Sequence, residues 1–101
     1  MNLNAVRSHA LFVSSLQRSE RPTVGQVRDA IVRTVRDLGA AECAARVAQE
    51  FGDHPELATA RMRWAIRMVA EVYAWDEAYE RRQRDPAGSA GSAGPPFRYA
   101  S

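Results

Sequence analysis

Residues 47–65 read Val-Ala-Gln-Glu-Phe-Gly-Asp-His-Pro-Glu-Leu-Ala-Thr-Ala-Arg-Met-Arg-Trp-Ala, and the reading of this run decides the fold. Ala48 stands four positions before Gly52, so a helix with a small residue on one turn meets a glycine on the next. Glycine adopts positive φ without a Cβ penalty, which predicts a stop at Gly52. Pro55-Glu56 then opens a second stretch, and proline is tolerated in a helix's first turn because its missing N–H would have no partner there. Asp53 and Glu56 have capping-box spacing. Ala58, Met62, Ala65, Val69 and Val72 recur at steps of three and four, and no breaker follows until Pro86. The spacing predicts a short helix over 42–51, a turn at Gly52, and a long helix carrying Arg61, Arg63 and Arg67.

Toward the N-terminus, Thr23 and Gln26 form another capping-box pair, and Val24, Val27, Ile31, Val35 and Leu38 share a face up to Gly39. A helix over about 24–38 follows. Leu3, Val6, Ala10, Val13 and Leu16 form an earlier apolar stripe, widened by Phe12 and ended by the polar connector Gln17-Arg18-Ser19-Glu20-Arg21-Pro22. Ala44, Val47, Ala48 and Phe51 are the expected inner face of the third helix. The expected fold class is therefore all-α: a small four-helix domain over 1–85, with three short helices on a long C-terminal one. Residues 86–101, rich in Gly, Ser, Ala and Pro, read as a flexible tail, with Phe97-Arg98-Tyr99 an unstructured end.

The chain has 101 residues and a formal net charge of +2, enough for one small core and too apolar for a disordered chain. All 14 cations are arginine, each able to make bidentate contacts with carboxylate or phosphate. A GC-rich coding sequence also yields this bias. Charge runs in blocks: six arginines lie within 1–36, acids dominate 37–60, and Arg61, Arg63 and Arg67 follow. The single cysteine, Cys43, excludes an intrachain disulfide and reads as a small buried hydrophobe. No stretch has the length of a membrane span or a signal core, so the expected setting is cytoplasmic.

The 42–67 segment has the outline of a helix-turn-helix. In that geometry Ala48 and Gly52 form the close junction, while Thr59, Arg63 and Arg67, with Arg61 near the edge, face outward toward DNA. The residues Val47, Ala48, Phe51, Gly52, Pro55, Glu56, Arg61, Met62, Arg63 and Ala65 resemble the helix-turn-helix of sigma-factor region four and related bacterial regulators, over roughly residues 27–70. The resemblance implies DNA binding through the arginine-bearing helix. Three positions depart from the pattern: Asp53 replaces a buried aliphatic, His54 a small hydroxyl cap, and Ala58 a larger aliphatic. As a whole, the chain also resembles small proteins of GC-rich bacteria, a likeness that implies no function.

Two functions follow. The first is a small DNA-binding or transcription-associated regulator that uses the helix-turn-helix-like unit 42–67. The second is a helical protein-interaction module, a homodimer or a partner-binding protein, that uses Trp64, Met68, Val72, Trp75 and Tyr79. These five add more apolar surface to the long helix than three short helices are expected to cover. Catalysis is not expected. His54 beside Asp53 and Glu56 lacks a second cluster to supply a nucleophile or metal. Cys43, Asp53 and His54 do not have zinc spacing. No glycine-rich phosphate loop is present, so neither a cofactor nor a small-molecule substrate is expected.

Overall fold

The computed structural model describes residues 2–84. Trp75's side chain and the expected 86–101 tail lie outside the described residues. Four α-helices follow one another: α1 (Leu3–Val13), α2 (Val24–Leu38), α3 (Ala40–Asp53) and α4 (Pro55–Arg84), with a 3-10 turn at Arg18–Glu20. No strand occurs among the described residues, and no helix there is long and apolar enough to cross a membrane.

Local chemistry sets the helix ends. The Asn2 side chain caps α1 by accepting from the Asn4 N–H at 2.7 Å and the Ala5 N–H at 3.3 Å. The expected capping box of α2 is formed: Thr23 Oγ1 accepts from the Gln26 N–H at 3.1 Å, and Gln26 Oε1 accepts from the Thr23 N–H at 2.8 Å. Gly39 ends α2 with φ 84° and ψ 159°, an extended positive-φ conformation that is almost exclusive to glycine.

The α3–α4 junction differs from the sequence expectation. The α3 helix begins at Ala40, two residues early, and runs through Gly52 to Asp53. Gly52 has no positive φ. The break is one residue, His54, with φ −140° and ψ 69°. Pro55 explains the position, since its ring disfavours helical geometry in the residue before it. Asp53 is consequently the last residue of α3 and does not cap α4. Ala48, placed by the sequence at a close helix contact, is exposed; α3 turns Cys43 and Val47 inward instead.

The α1 helix sits at the centre and packs on all three others, most extensively on α4. Ala10 and Leu11 are wholly buried, whereas Leu3 is 60% exposed. Val27 and Ile31 of α2 close one side of the core, and Ala58, Trp64, Ala65, Val69, Val72 and Tyr73 of α4 close the other. Two arginines add polar pins. Arg28 of α2 donates from Nη2 to the Val72 carbonyl at 3.2 Å and pairs with Asp76 at 3.0 Å. Its guanidinium and that of Arg7 lie over the Tyr73 ring, at 4.8 and 3.8 Å from the centroid.

Candidate functional site

The α1 helix ends in the interior, and its last carbonyls have no partners within the helix. Arg61 of α4 supplies donors across the core. Its Nε donates to the Phe12 carbonyl at 3.0 Å, and its Nη2 donates to the carbonyls of Leu11 at 3.2 Å and Ser14 at 3.0 Å. A cation at this end also complements the helix dipole. Burial pushes the Arg61 guanidinium below its ordinary pKa, and it remains a cation at neutral pH. Its carbon lies 4.8 Å from the centroid of the Trp64 ring. The sequence placed Arg61 near the edge of a DNA-facing surface; the structure uses it as a cap for α1.

The other expected contacts divide. Thr59 turns its hydroxyl back to the Pro55 carbonyl at 2.8 Å, so its donor is already engaged. Arg63 and Arg67 are exposed on α4 and make no ion pair or side-chain hydrogen bond among the described residues. The expected partner face is largely internal: Trp64 and Val72 are buried and Met68 is packed against the core, with α1 covering them. Tyr79 is exposed.

The structure adds two residues that sequence reasoning left in a connector. Arg18 and Arg21, in and just after the 3-10 turn, line a hollow of about 630 Å³ together with Ser19, Ala60, Arg61 and Trp64. The turn is held by Glu20 Oε1, which accepts from the Gln17 N–H at 3.0 Å. Both arginines are exposed and lack ion pairs among the described residues. No acidic side chain lines the hollow. Arg63 and Arg67 follow Ala60 by three and seven residues, which places them on the adjoining turns of α4. Arg18 and Arg21 thus lie against Ala60, Arg61 and Trp64 of α4, some forty residues away in sequence, on the helix that also carries the exposed Arg63 and Arg67. The available signal was the Arg-x-x-Arg spacing before Pro22, but its neighbour in space is set only by the packing of α4.

A second hollow, about 680 Å³, lies between the end of α1, α3 and the start of α4. Phe12, Val13, Leu57 and Ala58 line it, with Glu42, Glu50, Gln49, Arg46 and Arg61 at its polar side. Leu57 is 71% exposed, and the Phe12 and Phe51 rings stack at 6.2 Å. His54 is exposed beside Asp53 and Glu56. Among the described residues, no group of three or more His, Cys, Asp or Glu side chains could hold a metal ion.

No family model, curated protein or solved structure matches this chain.

Proposed function

We propose that this chain is a small nucleic-acid-binding, transcription-associated protein that grips phosphates with Arg18, Arg21, Arg63 and Arg67. The observation that supports this reading is the set of four exposed arginines without ion pairs among the described residues, two of which, Arg18 and Arg21, line a hollow against α4 that has no acidic side chain in its lining. Sequence-independent phosphate contact needs such cations, and arginine meets phosphate bidentately. The acidic side chains Glu50, Asp53 and Glu56 cluster instead around the α3–α4 junction. They argue against insertion of the α4 N-terminus into a groove, because carboxylates there repel phosphates. The proposed contact therefore runs along the 3-10 turn and the third and fourth turns of α4, not through the turn of a helix-turn-helix.

The test is an anisotropy titration of labelled duplex DNA at two salt concentrations. Affinity should fall steeply with salt, and each of Arg18→Ala, Arg63→Ala and Arg67→Ala should flatten the salt slope by about one. Arg36→Ala, an exposed and unpaired arginine on α2, should leave it unchanged. Absence of binding at low salt would sink the proposal.

A protein-interaction role is the second reading. The exposed Leu57, beside Phe51 and the acidic side chains of the α3–α4 corner, supports it. On that reading, Leu57→Ser abolishes capture of a basic amphipathic peptide and the arginine variants do not.

A further inference from the structure

We propose that the hollow between the 3-10 turn and α4 seats a terminal phosphate: the monoester at a nucleic-acid end or on a free phosphorylated molecule. For nucleic-acid ends, the inference rests on the reading above.

Three guanidinium-bearing residues line the hollow, Arg18 and Arg21 from one side and Arg61 from the other, and the neighbouring Glu20 carboxylate is engaged with the Gln17 N–H. Arg61 is already held in place. Its Nε and Nη2 are fixed on three α1 carbonyls, while the two N–H groups of Nη1 have no hydrogen-bond partner among the described residues. A donor oriented before the ligand arrives loses little freedom on binding. The wall beside it is the buried Trp64. Its ring also lies beside the Arg61 guanidinium, which helps to fix that side chain's orientation.

Arg21 supplies a second, independent observation. Its φ of 50° and ψ of 61° make it the only non-glycine residue with positive φ among the described residues. An L-residue is strained in this conformation, and glycine or asparagine would hold the turn more easily. Pro22 follows, and its ring further restricts the backbone at Arg21. An arginine held in a conformation that the backbone disfavours places its side chain on the lining of the hollow.

The charge of the pocket selects the kind of phosphate. An internal phosphodiester carries one charge. A terminal monoester carries nearly two and offers three free oxygens, a match in charge and number for the three arginines that line the hollow. An internal strand is served better by Arg63 and Arg67, which stand on the open surface of α4.

The experiment uses the full chain with two short duplexes that differ only in a 5′-phosphate or 5′-hydroxyl, read by anisotropy, and inorganic phosphate alone, read by calorimetry. The phosphorylated duplex should bind about tenfold more tightly, the size of one charge-assisted contact set. Arg21→Gly keeps the left-handed backbone and should erase that difference. Arg18→Ala is the second variant and should do the same, while Arg36→Ala should not; thermal melts confirm that each variant is folded. Equal binding of the two duplexes with no heat from phosphate overturns the proposal and leaves the nucleic-acid reading standing. Binding of inorganic phosphate that Arg21→Gly abolishes, with no binding of either duplex, upholds the proposal for a free phosphorylated ligand and overturns the nucleic-acid reading. No binding of any probe overturns both.

Discussion

Arg61 carries the largest revision at the level of single residues. Nothing in its immediate sequence marks it apart from Arg63, two positions on, yet one arginine is interior and the other open to solvent. The helical rotation of about 100° per residue separates them. Arg61→Ala removes the side-chain donor to the Phe12 and Ser14 carbonyls and leaves Leu11's carbonyl to Ser14 alone, and the expected loss is about 1–3 kcal/mol in urea unfolding. An equal loss from Arg63→Ala would remove the distinction. Gly52 makes the opposite case. It lies inside α3, and a Cβ there would meet nothing within 4 Å. Gly52→Ala should therefore raise stability by up to about 0.5–1 kcal/mol, whereas a positive-φ turn would be destabilised by it. Cys43 is buried as the sequence indicated, and burial raises its thiol pKa, with Glu42 adding to the rise and Arg46 opposing it. A raised folded-state value means that this group's contribution is intact below the ordinary thiol range and declines as pH rises through it. Cys43→Val should accordingly show a shallower loss of stability than the parent on the alkaline side, measured by denaturant midpoint against pH.

Among the elements, α2 and α4 illustrate how much a periodic pattern conveys. The Thr23–Gln26 capping box, the inward Val27 and Ile31, and the stop at Gly39 were all legible in α2, because capping and periodicity act within a few residues. The Arg28 pin was not legible, since Val72 and Asp76 lie more than forty residues away. A double-mutant cycle of Arg28→Ala and Asp76→Ala should give a coupling of about 0.5–1 kcal/mol, because both partners are more than a third exposed to solvent. Strict additivity would show that the ion pair is idle and that stacking on Tyr73 dominates. The boundary between α3 and α4 was misplaced for a comparable reason. Glycine permits a turn but does not compel one, while Pro55 constrains its predecessor, so the chain breaks at His54 and continues helical through Gly52.

For the whole molecule, α1 is the decisive element. It occupies the centre of the bundle and covers the aromatic face of α4, with Trp64 and Val72 buried beneath it. Tyr79, farther along the same helix, remains exposed. Leu11, outside the stripe read from the sequence, is wholly buried where α1 meets the other helices. Leu11→Ala should cost about 2–5 kcal/mol, and for a domain of this size should approach loss of folding at physiological temperature. A loss below about 1 kcal/mol in calorimetry would show that α1 is peripheral. The same packing carries the connector arginines Arg18 and Arg21 to α4, where they line a hollow with Ala60, Arg61 and Trp64.

The sequence by itself determined the helical class, the four-helix order, the long uninterrupted α4 and the caps of α2, since each depends on interactions a few residues apart. Tertiary structure alone decided which face of each helix was left over. Amphipathic periodicity names an apolar stripe but not the helix that will cover it. For that reason Arg61 became a cap, Ala48 an exposed residue and Trp64 core, while Arg18 and Arg21 were brought to a hollow that Arg61 also lines.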